Sequence, residues 1–125
     1  MSQLKRVTLR LARNPDAGVP EGDPHTGYTL VAPIDAEGSL DPAAWGQQKS
    51  KCKVVRFSPE TDARADGWLT HRGSHWAFHY DEDSEGGDEG VFRLGEHKFQ
   101  VGEYVTITDD AGVALAYRIS DINPA

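Results

Sequence analysis

Histidine is the commonest metal ligand and the side chain that titrates near neutral pH, and His71, His75 and His79 recur at every fourth position. On a helix that spacing would stack them on one face. Gly73 and the alternating aromatics Trp76, Phe78 and Tyr80 point instead to a strand. A three-residue turn at Arg72-Gly73-Ser74 would set His71 opposite His75 and Trp68 beside Phe78. The imidazoles would then line the outer face of a hairpin, with the large rings on its inner face. Neutral imidazoles bind Zn²⁺, and a catalytic zinc keeps one position open for water. His75 and His79, however, would lie about 13 Å apart along one strand. The candidate metal set is therefore His71 and His75, completed by His25 or an acid such as Asp23 from an upstream loop. The competing reading is a solvated polar face over an aromatic core. No H-E-x-x-H pattern or cysteine-based ligand spacing favours the metal over it.

A second candidate is Asp81, Asp83 and Glu85, which with Gly86 match the first half of an EF-hand loop. The match ends at the twelfth position, where Phe92 stands in place of a bidentate Glu. These carboxylates remain candidate binding residues on a β loop, set against a plain solvated segment. A third candidate is Cys52, between Lys51 and Lys53. Nearby cations lower a thiol pKa, but on a strand both lysines face away from Cys52, so a buried, inert thiol is expected. Lys49, Lys51, Lys53 and Arg56, with Trp45 and Phe57 close by, form a basic segment. The net charge of −7 and the lack of an aromatic-basic signature make nucleic acid an unlikely partner. No phosphate-cradling glycine loop, nucleophile elbow or dinucleotide fingerprint is present, so no catalytic residue is assigned.

The elements that must position these groups are mostly strands. Val7, Leu9 and Leu11 alternate with polar residues in a first strand. A loop rich in proline and glycine runs from about 13 to 27, where each Pro restricts itself and the residue before it. Residues 28–33 make a second strand. One short helix is predicted over about 41–50, with Asp41 as N-cap, Pro42 at the first helical position and Leu40 stapled to Trp45. From 52 onward short apolar runs alternate with turn residues: 53–57, 68–71, 75–80, 92–94, 97–101, 104–108 and 113–122. The last two form the best-defined hairpin. Gly112 at a left-handed position would set Ile107 opposite Leu115 and Val105 opposite Tyr117. The segment 81–90 holds six acids, no base and three glycines; without it the chain would be nearly neutral.

A length of 125 residues argues for one domain, here a small antiparallel β barrel or sandwich with one short helix. Apolar residues are 38% and charged residues 26%, a globular balance and not a disordered one. The single cysteine excludes an internal disulfide and a four-cysteine zinc site. No apolar run is long enough for a membrane span, and the first residues lack a signal-peptide core, so the cytoplasm is the expected compartment. The segments Arg10-Leu11-Ala12-Arg13-Asn14-Pro15, Gly22-Asp23-Pro24-His25 and Gly102-Glu103-Tyr104-Val105-Thr106-Ile107 resemble short uncharacterised bacterial all-β proteins. That resemblance implies an all-β fold and carries no activity. The tail is also similar to the final hairpin of SH3-like barrels, a pattern shared by many functions. The expected function is a non-catalytic binding or interaction module with a protein partner of unknown identity and no cofactor. The alternative is a zinc-binding protein or metal-dependent hydrolase built on the histidine face.

Overall fold

Alternation decides which residues point inward. Strand β1 (Gln3–Leu11) buries Val7 and Leu9, and β2 (Asp23–Ile34) buries Tyr28, Leu30, Ala32 and Ile34. These residues meet rung by rung, Val7 opposite Leu30 and Leu9 opposite Tyr28. The strands that follow are β3 (Lys53–Phe57), β4 (Ala65–Arg72), β5 (His75–Tyr80), β6 (Glu89–Val91), β7 (Tyr104–Thr108) and β8 (Ala114–Pro124). Each strand pairs antiparallel with the next, and β8 returns to pair with β1, so the strands close into a barrel. Closure gives every strand a neighbour on each side. The structure is a computed structural model that describes residues 2–15, 18, 20–58, 65–72, 75–80, 89–91, 98–108 and 112–125. It is the mainly β architecture with one short helix that the sequence predicts. Among the described residues no helix is long and apolar enough to cross a membrane.

The interior is filled by side chains. Tyr28 lies 5.1 Å, centroid to centroid, from both Phe78 and Tyr117, in tilted and edge-on arrangements. Such offset ring pairs are favourable beyond the area they bury. Val54, Leu69, Ile107 and Ile119 surround them. An eight-stranded barrel is just wide enough for side chains to fill it, and this one is packed.

Two irregularities bend the wall. Opposite the Thr8/Leu9 step, β8 carries the extra residue Ser120. Opposite the Arg10/Leu11 step, β2 carries residues 24–26 as extras. Such bulges sharpen the twist that a closed ring needs. Arg10 ties both together: it donates to Ser120 Oγ at 3.1 Å and to the Pro24 carbonyl at 2.6 Å, and lies over the Phe57 ring. Asn14 extends the β1–β8 ladder with its side chain. Its amide donates to the Ala116 carbonyl at 3.1 Å, and its oxygen accepts from the Ala116 amide at 2.9 Å. Beyond β2, the Asp35 carboxylate accepts from the amides of Glu37 and Ser39 and shapes a tight turn. Gly38 in that turn accepts from the Phe99 amide at 2.7 Å, and Phe99 and Leu40 are buried.

Several sequence expectations need correction. β2 begins at Asp23, not near 28, because the bulge lets Pro24 sit where no ladder donor is required. Residues 98–100 are not strand; Phe99 serves as an apolar plug and not as a ladder residue. Glu89 and Gly90, read as part of the acidic loop, belong to β6 and pair with Phe78 and Ala77. The predicted helix is two pieces, α1 (Pro42–Gln47) and a 3-10 turn at Lys49–Lys51. Its start is as expected, with Asp41 accepting from the Ala44 amide at 3.1 Å. The C-terminal hairpin also has the expected register, Ile107 opposite Leu115 and Val105 opposite Tyr117, with Gly112 at φ 84°.

Candidate binding groove

The β4–β5 hairpin does not have the predicted register. Arg72 pairs with His75 and His71 with Trp76, one residue away from the expected pairing of His71 with His75. A slip of one residue exchanges faces. His71 therefore shares the inward side with Leu69 and Trp76, while Trp68 pairs with His79 on the exposed side. Trp68 is not beside Phe78, and His71 and His79 point to opposite faces. The three-imidazole face is not formed.

His25 is also remote from His71. The Gly27–Phe57 and Lys53–Trp68 rungs mark opposite ends of β3. His25 lies beyond the first and His71 beyond the second, more than roughly 20 Å away along the strands. The proposed ligand set of His71, His75 and His25 is thus not brought together. The backbone near His25 is occupied structurally: Asp23 accepts from the His25 amide and from the Thr26 hydroxyl, both at 2.9 Å. Those bonds hold the Asp23 carboxyl below its ordinary value. Among the described residues no group of three or more His, Cys, Asp or Glu side chains is arranged to hold a metal. Asp81, Asp83 and Glu85 lie outside the described residues. Cys52 is buried as expected, and burial pushes its thiol up to about 11. At neutral pH it is a thiol and a poor nucleophile.

What the register slip creates instead is an aromatic cluster at one end of the barrel. The His71 ring stacks on Trp76 at 3.9 Å, nearly parallel. Trp45, carried by α1, meets both edge-on, at 5.7 Å from His71 and 5.5 Å from Trp76. Its indole Nε1 donates to the Leu69 carbonyl at 3.0 Å, which fixes the ring against β4. Four residues further on, Lys49 holds its ammonium 4.9 Å above the Trp45 ring, a cation–π contact.

Between these groups lies an open groove of about 460 Å³. Trp45, Trp68 and the Leu69 segment contribute to its lining, together with Lys49, Ser50, Thr70 and His71. Trp68 keeps 39% of its surface exposed. Lys53 is its neighbour across the β3–β4 ladder. A volume of this size, mostly apolar with a few polar groups, is that of a small-molecule site. By sequence alone Trp45 is a helix staple, Trp68 a core ring and Lys49 one of several bases. The readable signal is the closeness of Lys49 to Trp45 in sequence, four residues apart across the end of α1, which brings a cation over a ring. No protein family, curated protein or solved structure matches the chain.

Proposed function

We propose that this chain is a non-catalytic binding module of the cytoplasm, and that its ligand site is the groove between Trp45 and Trp68. The observation that carries the reading is the presence of two tryptophans, Trp45 and the exposed Trp68, in the lining of an open cavity beside a packed barrel. Large apolar surface left uncovered at a concave site costs free energy that a ligand recovers. Trp45 is anchored by its Leu69 hydrogen bond and by the rings of His71 and Trp76. That anchoring makes the wall ready before a ligand arrives, which lowers the ordering cost of binding. The buried thiol of Cys52, raised to about 11, supports a reading without nucleophilic chemistry.

The experiment is a titration of uniformly labelled protein with neutral aromatic fragments, indole and phenol, followed by amide and indole NMR signals. The reading expects shifts confined to 45–50 and 68–71, including the Trp45 indole N–H. Fragments that reach millimolar concentration without moving those signals would overturn it.

A further inference from the structure

Charge around the groove runs against the charge of the molecule. The chain is −7 overall, yet residues 49–57 carry four bases and no acid. Among the described residues that line the cavity, Lys49 is the one Lys, Arg, Asp or Glu. Its ammonium is already positioned at the lip by the Trp45 ring. Ser50 offers a hydroxyl beside it. The His71 imidazole also lines the cavity.

The positive strip is short. Asp66 stands exposed on the same face of β4, two residues before Trp68. A polyanion following the strip would meet that carboxylate and the acidic remainder of the surface, and its binding depends on many phosphate contacts. One ammonium over one aromatic wall matches a single negative charge on a planar body.

We infer that the groove binds a small aromatic carboxylate, its ring against Trp45 and Trp68 and its carboxylate beside Lys49 and Ser50. This inference rests on the groove being the binding site, as proposed above, and adds the class of its ligand. The ring gains offset or edge contacts with two indoles. The carboxylate gains charge-assisted hydrogen bonds at a site partly shielded from water by those same rings.

The test uses four probes on the full chain: 2-naphthoate, the neutral 2-naphthol, 2-naphthyl phosphate and an octathymidylate. Amide shifts report the location and the titration reports Kd. Naphthoate should bind about fivefold tighter than naphthol, the worth of one exposed ion pair. That advantage should vanish in Lys49→Gln and shrink in 1 M salt. Trp68→Ala should weaken both probes about tenfold. Lys49→Gln, at an exposed position, keeps the test available should Trp68→Ala fail to fold. Equal binding of naphthol and naphthoate would overturn the carboxylate while leaving the groove as a binding site. Tighter binding of the phosphate or the oligonucleotide would overturn it in favour of that ligand. If no probe moves the groove signals, both the ligand class and the site itself are wrong.

Discussion

Replacing Gly27 by alanine adds one methyl group at the tightest backbone approach in the barrel. A Cβ built there would sit 1.9 Å from the Leu9 carbonyl oxygen, 2.9 Å from the Leu9 carbonyl carbon and 3.0 Å from the Arg10 Cα. Carbon and oxygen in ordinary contact stay above about 3.2 Å, so β1 and β2 must part by more than 1 Å locally, roughly the loss of a ladder bond. The obstacle is β1 backbone, and on its other side Gly27 is held by its pairing with Phe57, so neither strand can yield cheaply. Two strained backbone hydrogen bonds at about 1 kcal/mol each, with about 1 kcal/mol of disturbed packing, give about 3 kcal/mol. At about 2.1 cal/mol/K of unfolding entropy per residue, that corresponds to a Tm about 11 °C lower for this chain. The control is Gly46→Ala in α1, where nothing lies within 4 Å of the added atom. There helix propensity should stabilise by about 0.5–1 kcal/mol and raise Tm by about 2–4 °C. Thermal circular dichroism, checked by urea unfolding, reads both. A Gly27→Ala variant melting within about 2 °C of wild type would refute the close β1–β2 approach at the bulge.

The other predictions concern single side chains. Asn14→Ala removes both side-chain bonds to Ala116 and should cost about 1–3 kcal/mol in urea unfolding; an unchanged midpoint would mean that water replaces the amide without loss. Gly112→Val forces a β-branched residue to φ 84° and should destabilise by about 1–2 kcal/mol, read as a lower Tm. Asp41 is held below its ordinary value of 3.8, first by the Ala44 amide and then by the Ser2 hydroxyl. A depressed carboxyl contributes stability in full above its unfolded value and loses it as pH falls through the folded one. Asp41→Asn, which caps without titrating, should therefore lose less stability than wild type between pH 5 and pH 2, measured by urea midpoints. Cys52 should resist a thiol reagent at pH 7.4 in the native state and react at once in denaturant, because its thiol is buried and raised to about 11.

The contrast between the two hairpins explains what could be read without coordinates. In β7–β8 the hydrophobic alternation and a glycine at the left-handed turn position agree on one register, and that register is present. In β4–β5 both sides of each strand carry rings or imidazoles, so a slip of one residue costs little by pattern alone. The three-residue turn therefore predicts the opposite faces for Trp68 and His71, and the groove that their observed placement creates is not legible in the sequence. Asp41 and Pro42 announced their helix because capping is local chemistry. Trp45 could not announce its contacts with His71 and Trp76, because they depend on strands about 25–30 residues away. Phe99 reads as one more strand residue, and only the Gly38 turn, far off in sequence, turns it into a plug.

The pairing of β1 with β8 makes the first strand of the barrel wait for the last. Every rung from Lys5 to Leu11 takes its second partner from residues beyond 116. Ring closure is thus among the longest-range contacts the chain can make, and such topologies fold slowly. On the ribosome β2 can dock on β1 early, but the outer edge of β1 stays unpaired until β8 emerges. An unpaired edge of that length is a template for another nascent chain. Messages that stop short of β8 should therefore yield aggregates seeded by β1, and the rate at which the ribosome reaches the end of β8 should govern how much native barrel a cell recovers.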